Sequence, residues 1–269
     1  IASLAQVVAE SVTTRAEQDA VSGPVVLTPI QRWFFDQHAA DPHHFNQAIL
    51  LEAREPLDID ALRRAVVHVV QHHDALRLRF VGRGDTPQQL GLAVDESVTV
   101  TVVDLSQLSR REQARALDAA LGETHATLSL EQGPLLRVVW FDRGREQSGV
   151  LFWVIHHLVV DGVSWRILLE DLETAYRQAL RGERLLLPAK TTSFQTWAGL
   201  LSAHAQSDTV RHQLSFWRSL PEATPLPCDF RDGPNTVAAM QTITVTLAQE
   251  ETKDLLQQVP AAYLTEIND

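Results

Sequence analysis

The chain has little of what would make it a disulfide scaffold, a membrane protein or a nucleic-acid binder. Cysteine occurs once in 269 residues, at Cys228, so no internal disulfide can form and the composition fits a reducing cytoplasm. No apolar run approaches the roughly 20 residues that span a bilayer, and no basic start leads into an apolar signal region. Lysine stands only at Lys190 and Lys253, and the net charge is −11. That balance argues against nucleic acid, whose phosphate backbones need a basic face, and it disfavours anionic membrane surfaces. Repeats and low-complexity tracts are absent. What is present is ordinary for a globular chain. Hydrophobic residues make up 45% and charged residues 21%, enough for one large or two modest domains with a real core.

Hydrophobic periodicity predicts an α/β chain. Residues 1–10 read as a short amphipathic helix and 12–26 as a polar linker. Thr28-Pro29-Ile30-Gln31 has the form of a capping box with proline at the first helical position. It predicts a helix to about Ala39 whose face carries Ile30, Trp33 and Phe34. Strands are expected near 45–52, 75–81 and 98–103, helices near 58–72 and 110–127, and a hairpin from 135–141 and 150–156. Over 75–81, Leu76, Leu78 and Phe80 should line one face and Arg77 and Arg79 the other. Ser164 is expected to cap a helix that turns Leu168, Leu172, Ala175 and Ala179 inward. Helices near 193–204 and 209–220, a Pro-rich connection, a strand at 242–247 and a helix at 250–259 complete the pattern.

The most informative stretch runs from Phe152 to Trp165. A β-prone segment delivers His156 and His157 to its end, an Asp161-Gly162 turn follows, and a helical pattern begins. Adjacent strand residues point to opposite faces, so the two histidines divide their work: His156 into packing, His157 into a cleft as a general base. Helix-start amides near Ser164 and Trp165 could hold an oxyanion. Asp161 is either an orienting carboxylate or a turn and salt-bridge residue. Arg77 could reach Asp161 as a bidentate partner and lock the loop. Trp33, Trp165 and Trp197 read as core, Ser164 as a cap, and Cys228 has no assigned role. Histidine also occurs paired at His43-His44 and His72-His73. Adjacent pairs have the wrong spacing for one strand face, and no metal is expected.

These residues resemble a known family. His156-His157-Leu158-Val159-Val160-Asp161-Gly162 fits the H-H-x-x-x-D-G signature of the condensation superfamily of nonribosomal peptide synthetases. His72-His73-Asp74-Ala75-Leu76-Arg77-Leu78-Arg79-Phe80 resembles its R-H-E-x-L-R-T-x-F motif, with His72 for the arginine and Leu78 for the threonine. Ser193-Phe194-Gln195-Thr196-Trp197 resembles a further landmark. Within the superfamily, Pro29-Ile30-Gln31-Arg32-Trp33-Phe34 is similar to the P-I-Q-x-W-F opening of epimerization domains, whereas condensation domains open S-x-A-Q-x-R. His43-His44-Phe45-Asn46-Gln47 and Asp161-Gly162-Val163-Ser164-Trp165-Arg166 also resemble that branch.

The resemblance implies a chloramphenicol-acetyltransferase-like fold of mixed sheet and packed helices. It assigns 27–205 to the first lobe and 206–269 to a connection and the start of a second. It makes 1–11 the last helix of an upstream peptidyl carrier protein. It implies inversion of the Cα of an aminoacyl or peptidyl thioester, delivered on the carrier's 4'-phosphopantetheine arm, with no cofactor bound directly. Adenylation and downstream condensation domains are the implied partners. By the same resemblance a second catalytic group, a glutamate in an E-G-H-G-R-E type motif, lies beyond Asp269, so this piece alone is expected to be inactive. Two other readings stand beside it: a condensation domain forming a peptide bond, and a catalytically silent carrier-docking fragment.

Overall fold

The computed structural model describes residues 16–266 apart from 38–40, 83–86, 94–97, 99, 222–226, 228–232 and 234–235. The helix expected over 1–10, the end of the helix expected to reach Ala39, and Cys228 lie outside the described residues. The chain parts into two units, Ile1–Trp217 and Arg218–Asp269.

In the first unit the elements run β1 (Gly23–Val25), α1 (Pro29–Gln37), β2 (Asn46–Glu52), α2 (Ile59–His72), a 3-10 turn (Asp74–Arg77), β3 (Leu78–Val81) and β4 (Gln88–Gly91). They continue with β5 (Val100–Asp104), α3 (Arg110–His125), β6 (Leu136–Asp142), β7 (Val150–His156), α4 (Gly162–Leu180), α5 (Phe194–Ala205) and α6 (Asp208–Ser219), which runs across the unit boundary. One sheet has the order β2-β7-β6-β5 and a smaller one the order β1-β4-β3. β6 and β7 pair as the expected antiparallel hairpin, and β5 lies parallel to β6.

The unbroken apolar run of β7 has a physical reason: the strand is covered on both faces. Leu151, Trp153 and Ile155 join the cluster that includes Val66, Val69, Leu168, Leu172 and Ala175 of α2 and α4. Val150, Phe152 and Val154 alternate to the other face, against Ala116, Leu117, Ala120 and Leu121 of α3. Each such apolar side chain contributes about 1.5–3 kcal/mol by leaving water. α4 buries Leu168, Leu172, Ala175 and Ala179, the face its periodicity predicts. This double cover fixes the position from which the chain leaves β7.

Several local expectations are corrected. Residues 75–81 do not form one alternating strand, because Asp74–Arg77 winds into a 3-10 turn before β3 begins. Arg77 and Arg79 are both buried, with no solvent face between them. α1 buries Gln31 and Phe34, while Ile30 and Trp33 are exposed. The capping interaction explains the rotation. Thr28 donates its amide and its hydroxyl to Gln31 Oε1 (3.0 and 3.2 Å), which draws Gln31 inward. Trp197 is also exposed. Part of the expected linker pairs as β1 against β4.

In the second unit, 242–247 is assigned no strand, and Ile243 and Val245 are exposed. Alternation alone makes no strand without a neighbour to pair with. A last helix, α7 (Gln249–Tyr263), runs through Pro260 instead of stopping before it. No helix among the described residues is long and apolar enough to cross a membrane.

Candidate active site

The site is built where β7 ends. The ring of His156, the last residue of the strand, is fully buried. Its Nδ1 accepts from the Leu158 amide (3.2 Å) and its Nε2 donates to the Pro42 carbonyl (2.8 Å). Both nitrogens are engaged, and the ring packs edge-on against Phe34. His157, one residue on, is half-buried. Its amide donates to the Phe45 carbonyl (2.8 Å), and its ring stacks on the Phe45 ring at 5.1 Å and 14°. Its Nδ1 meets the Val160 carbonyl at 2.8 Å. A carbonyl only accepts, so Nδ1 carries a proton.

Asp161 caps α4. One carboxylate oxygen accepts from the amides of Val163 (3.1 Å) and Ser164 (2.7 Å) and from the Ser164 hydroxyl (2.6 Å). The Ser164 hydroxyl first, then the Ser164 amide, with the Val163 amide and His157 adding less, hold its carboxyl below the ordinary aspartate range against the opposing effect of burial. The helix starts at Gly162, so the cap is Asp161 and not Ser164. The donors proposed for an oxyanion are thereby engaged. The amide and hydroxyl of Ser164 serve the Asp161 carboxylate, the Trp165 amide donates to the Asp161 carbonyl (3.2 Å), and the indole Nε1 of Trp165 donates to Gln47 Oε1 (3.0 Å). Trp165 itself is buried and meets Trp153 edge-on. Gly162 has open space where a Cβ would stand.

Arg77 does not meet Asp161. Its guanidinium donates to the carbonyls of Val70 (2.8 Å), Gln71 (2.7 Å) and Leu92 (3.2 Å) and pairs with Asp74 (2.5 Å). Its work is to close the end of α2 onto the smaller sheet.

Gln47 is a neighbour of the His157 ring that the sequence alone does not single out. Its amide nitrogen lies 3.2 Å from His157 Nε2. The signal available is the quintet His43 to Gln47, but only the pairing of β2 with β7 (Asn46 opposite His156) brings it to the ring.

Among the described residues, one group could hold a metal ion: His72, His73 and Asp171, with donor atoms within 4.8 Å of one another. His68 stands one helical turn before His72 on α2, a spacing that adjacent pairs do not reveal. Burial, then His73, pushes the His72 imidazole below its ordinary range. His73 Nε2 and Asp171 Oδ2 are already hydrogen-bonded to each other at 2.7 Å, a bridge from the end of α2 to α4.

Comparison with known proteins places this geometry. The chain is 45% identical over 271 residues to a linear gramicidin synthase of Brevibacillus parabrevis, covering 100% of this chain and 4% of that protein. It is 44% identical over 274 residues to chondramide synthase cmdD of Chondromyces crocatus, covering 100% and 7%. The chain thus spans a small fraction of the relatives it matches. A solved structure of the epimerization domain from the third module of tyrocidine synthetase B superposes with a TM-score of 0.81 at 36% identity, covering 94% of this chain and 58% of that one. The first condensation domain of the calcium-dependent antibiotic synthetase shares the fold alone (TM-score 0.61, 22% identity, 72% and 46% covered). The expected mixed sheet with packed helices, in the chloramphenicol-acetyltransferase-like arrangement, is therefore the observed fold. The Condensation domain family matches residues 21–269, and the chain belongs to that family.

Proposed function

We propose that this chain is the histidine-bearing part of an epimerization domain. It inverts the Cα of an aminoacyl or peptidyl thioester brought on the 4'-phosphopantetheine arm of a carrier protein. The observation that carries this reading is the imidazole of His157 at the end of β7, with Nδ1 bonded to the Val160 carbonyl and Nε2 facing the Gln47 amide. The likeness to an epimerization domain at 36% identity supports it. Upstream carrier, adenylation and downstream condensation domains are its partners, and the lone cysteine fits a cytoplasmic synthetase.

The chemistry follows from the substrate. The Cα–H bond breaks, its electron pair passes into the thioester carbonyl as an enolate, and the proton moves to Nε2 of His157. A proton delivered to the opposite face restores the C–H bond with inverted configuration. The second group comes from outside this chain, and at the start of α4 Asp161 engages the amides of Val163 and Ser164.

The test uses the intact domain with its carrier loaded with an L-aminoacyl thioester in deuterated water. Deuterium enters Cα in the wild type. His157→Ala lowers its uptake by about 10²–10⁴-fold while carrier binding persists. Undiminished uptake in that variant removes His157 from the mechanism. Peptide formation in place of uptake identifies a condensation domain, and carrier binding with neither reaction identifies a docking module.

A further inference from the structure

Resting on that proposed proton removal by His157, we infer that Gln47, aligned by Trp165, is a positioning residue that holds His157 as a proton acceptor. The indole N–H of Trp165 can only donate, so the Gln47 amide must turn its oxygen to it, at 3.0 Å. That leaves the amide nitrogen facing Nε2 of His157, at 3.2 Å. On the other edge of the ring the Val160 carbonyl can only accept, so Nδ1 is protonated. Two independent neighbours therefore dictate one tautomer.

The chain of bonds has a direction. A second proton on the resting ring would set Nε2–H against an amide N–H. Rotating the amide would relieve that conflict and recreate it at once against the indole N–H. The mismatch can be moved along the chain but not removed while Trp165 stays in place. Trp165 is buried in edge-on contact with Trp153, and Phe45 stacks on His157 and fixes the plane of its ring. Gln47 and His157 are also held by antiparallel pairing of their strands, with Gln47 opposite Ile155. Asp161 is a charged group in electrostatic contact with the ring, and its carboxylate is engaged by Val163 and Ser164. His156 is engaged by Pro42 and Leu158. Gln47 is thus the side chain whose donor meets Nε2, and the incoming Cα–H must displace it.

The test is ring-nitrogen NMR of the histidine-labelled intact domain at pH 8, together with deuterium uptake. Wild type should show a protonated Nδ1 and a bare Nε2 at His157. Gln47→Glu keeps the shape but turns the donor into an acceptor, so Nε2 gains a proton and uptake falls about 10²-fold. Trp165→Phe frees the amide to rotate and gives a mixture of the two ring states, with a smaller loss. It serves as the second variant if Gln47→Glu does not fold. Ring nitrogens unchanged in these variants, or a wild-type ring with its proton on Nε2, overturn the role of Gln47. If the nitrogens respond as stated but wild type takes up no deuterium, the epimerization reading fails and the positioning role stands.

Discussion

Two stretches of this chain are spelled almost alike and do opposite work. His72-His73-Asp74 and His156-His157 with Asp161 each place adjacent histidines at the end of a regular element, with a carboxylate close behind. At the first, the carboxylate is enclosed by cations. Burial of Asp74 opposes ionisation, but the Val21 amide, Arg77 and Lys190 outweigh it and hold the carboxyl below its ordinary range. His73 is tied to Asp171. At the second, the carboxylate takes helix-end amides and a hydroxyl, and His157 retains a lone pair that meets only an amide N–H. Saturation by charged partners makes a joint between segments. Engagement by neutral dipoles fixes a ring in place without an ion pair to its basic atom.

Variants can break or sharpen that contrast. The largest stability effect is expected at the joint. Arg77→Ala strands several buried carbonyls and half of the Asp74 pair, and should reduce unfolding free energy in urea by about 3 kcal/mol. A loss near zero would mean that the joint is not structural. Asp171→Ala should follow, at about 1–2 kcal/mol, because it leaves His73 without its partner. At the site itself, Asp161→Ala removes a helix cap and should reduce stability by about 1 kcal/mol.

The pH dependence of that cap has a definite sign. Its folded carboxyl titrates below the unfolded one, so its contribution is complete above the ordinary carboxylate range of about 4 and is lost as pH falls through the lowered folded value. Asp161→Asn keeps the capping acceptor without the titration, so its thermal midpoint should fall less than wild type on acidification. Parallel curves would exclude Asp161 as a contributor to acid sensitivity.

Much of this is legible in the residues. The apolar run of β7, the hairpin with β6 and the buried face of α4 follow from periodicity, because they concern neighbours in sequence. The difference in burial between His156 and His157 follows from strand alternation and their place at the strand's end. What escapes depends on partners far along the chain. The carbonyls that receive Arg77 come from Val70, Gln71 and Leu92, and nothing in their side chains marks them as acceptors. Gln47 reaches His157 across 110 positions of sequence through strand register. Trp33 and Trp197 look like core by composition but are exposed because the faces of their helices are set by other residues. Asp161 and Ser164 are both good caps, and only the observed helix start decides for Asp161.

The position of β2 has a consequence for regulation of the chemistry. It is the outermost strand of its sheet, yet it and the residue just before it supply the ring under His157, the carbonyl that anchors its amide and the side chain on its Nε2. Peeling this one border strand away would remove all three contacts from the imidazole in a single event. If His157 acts as proposed, a partner that grips or releases that margin would act directly on its imidazole.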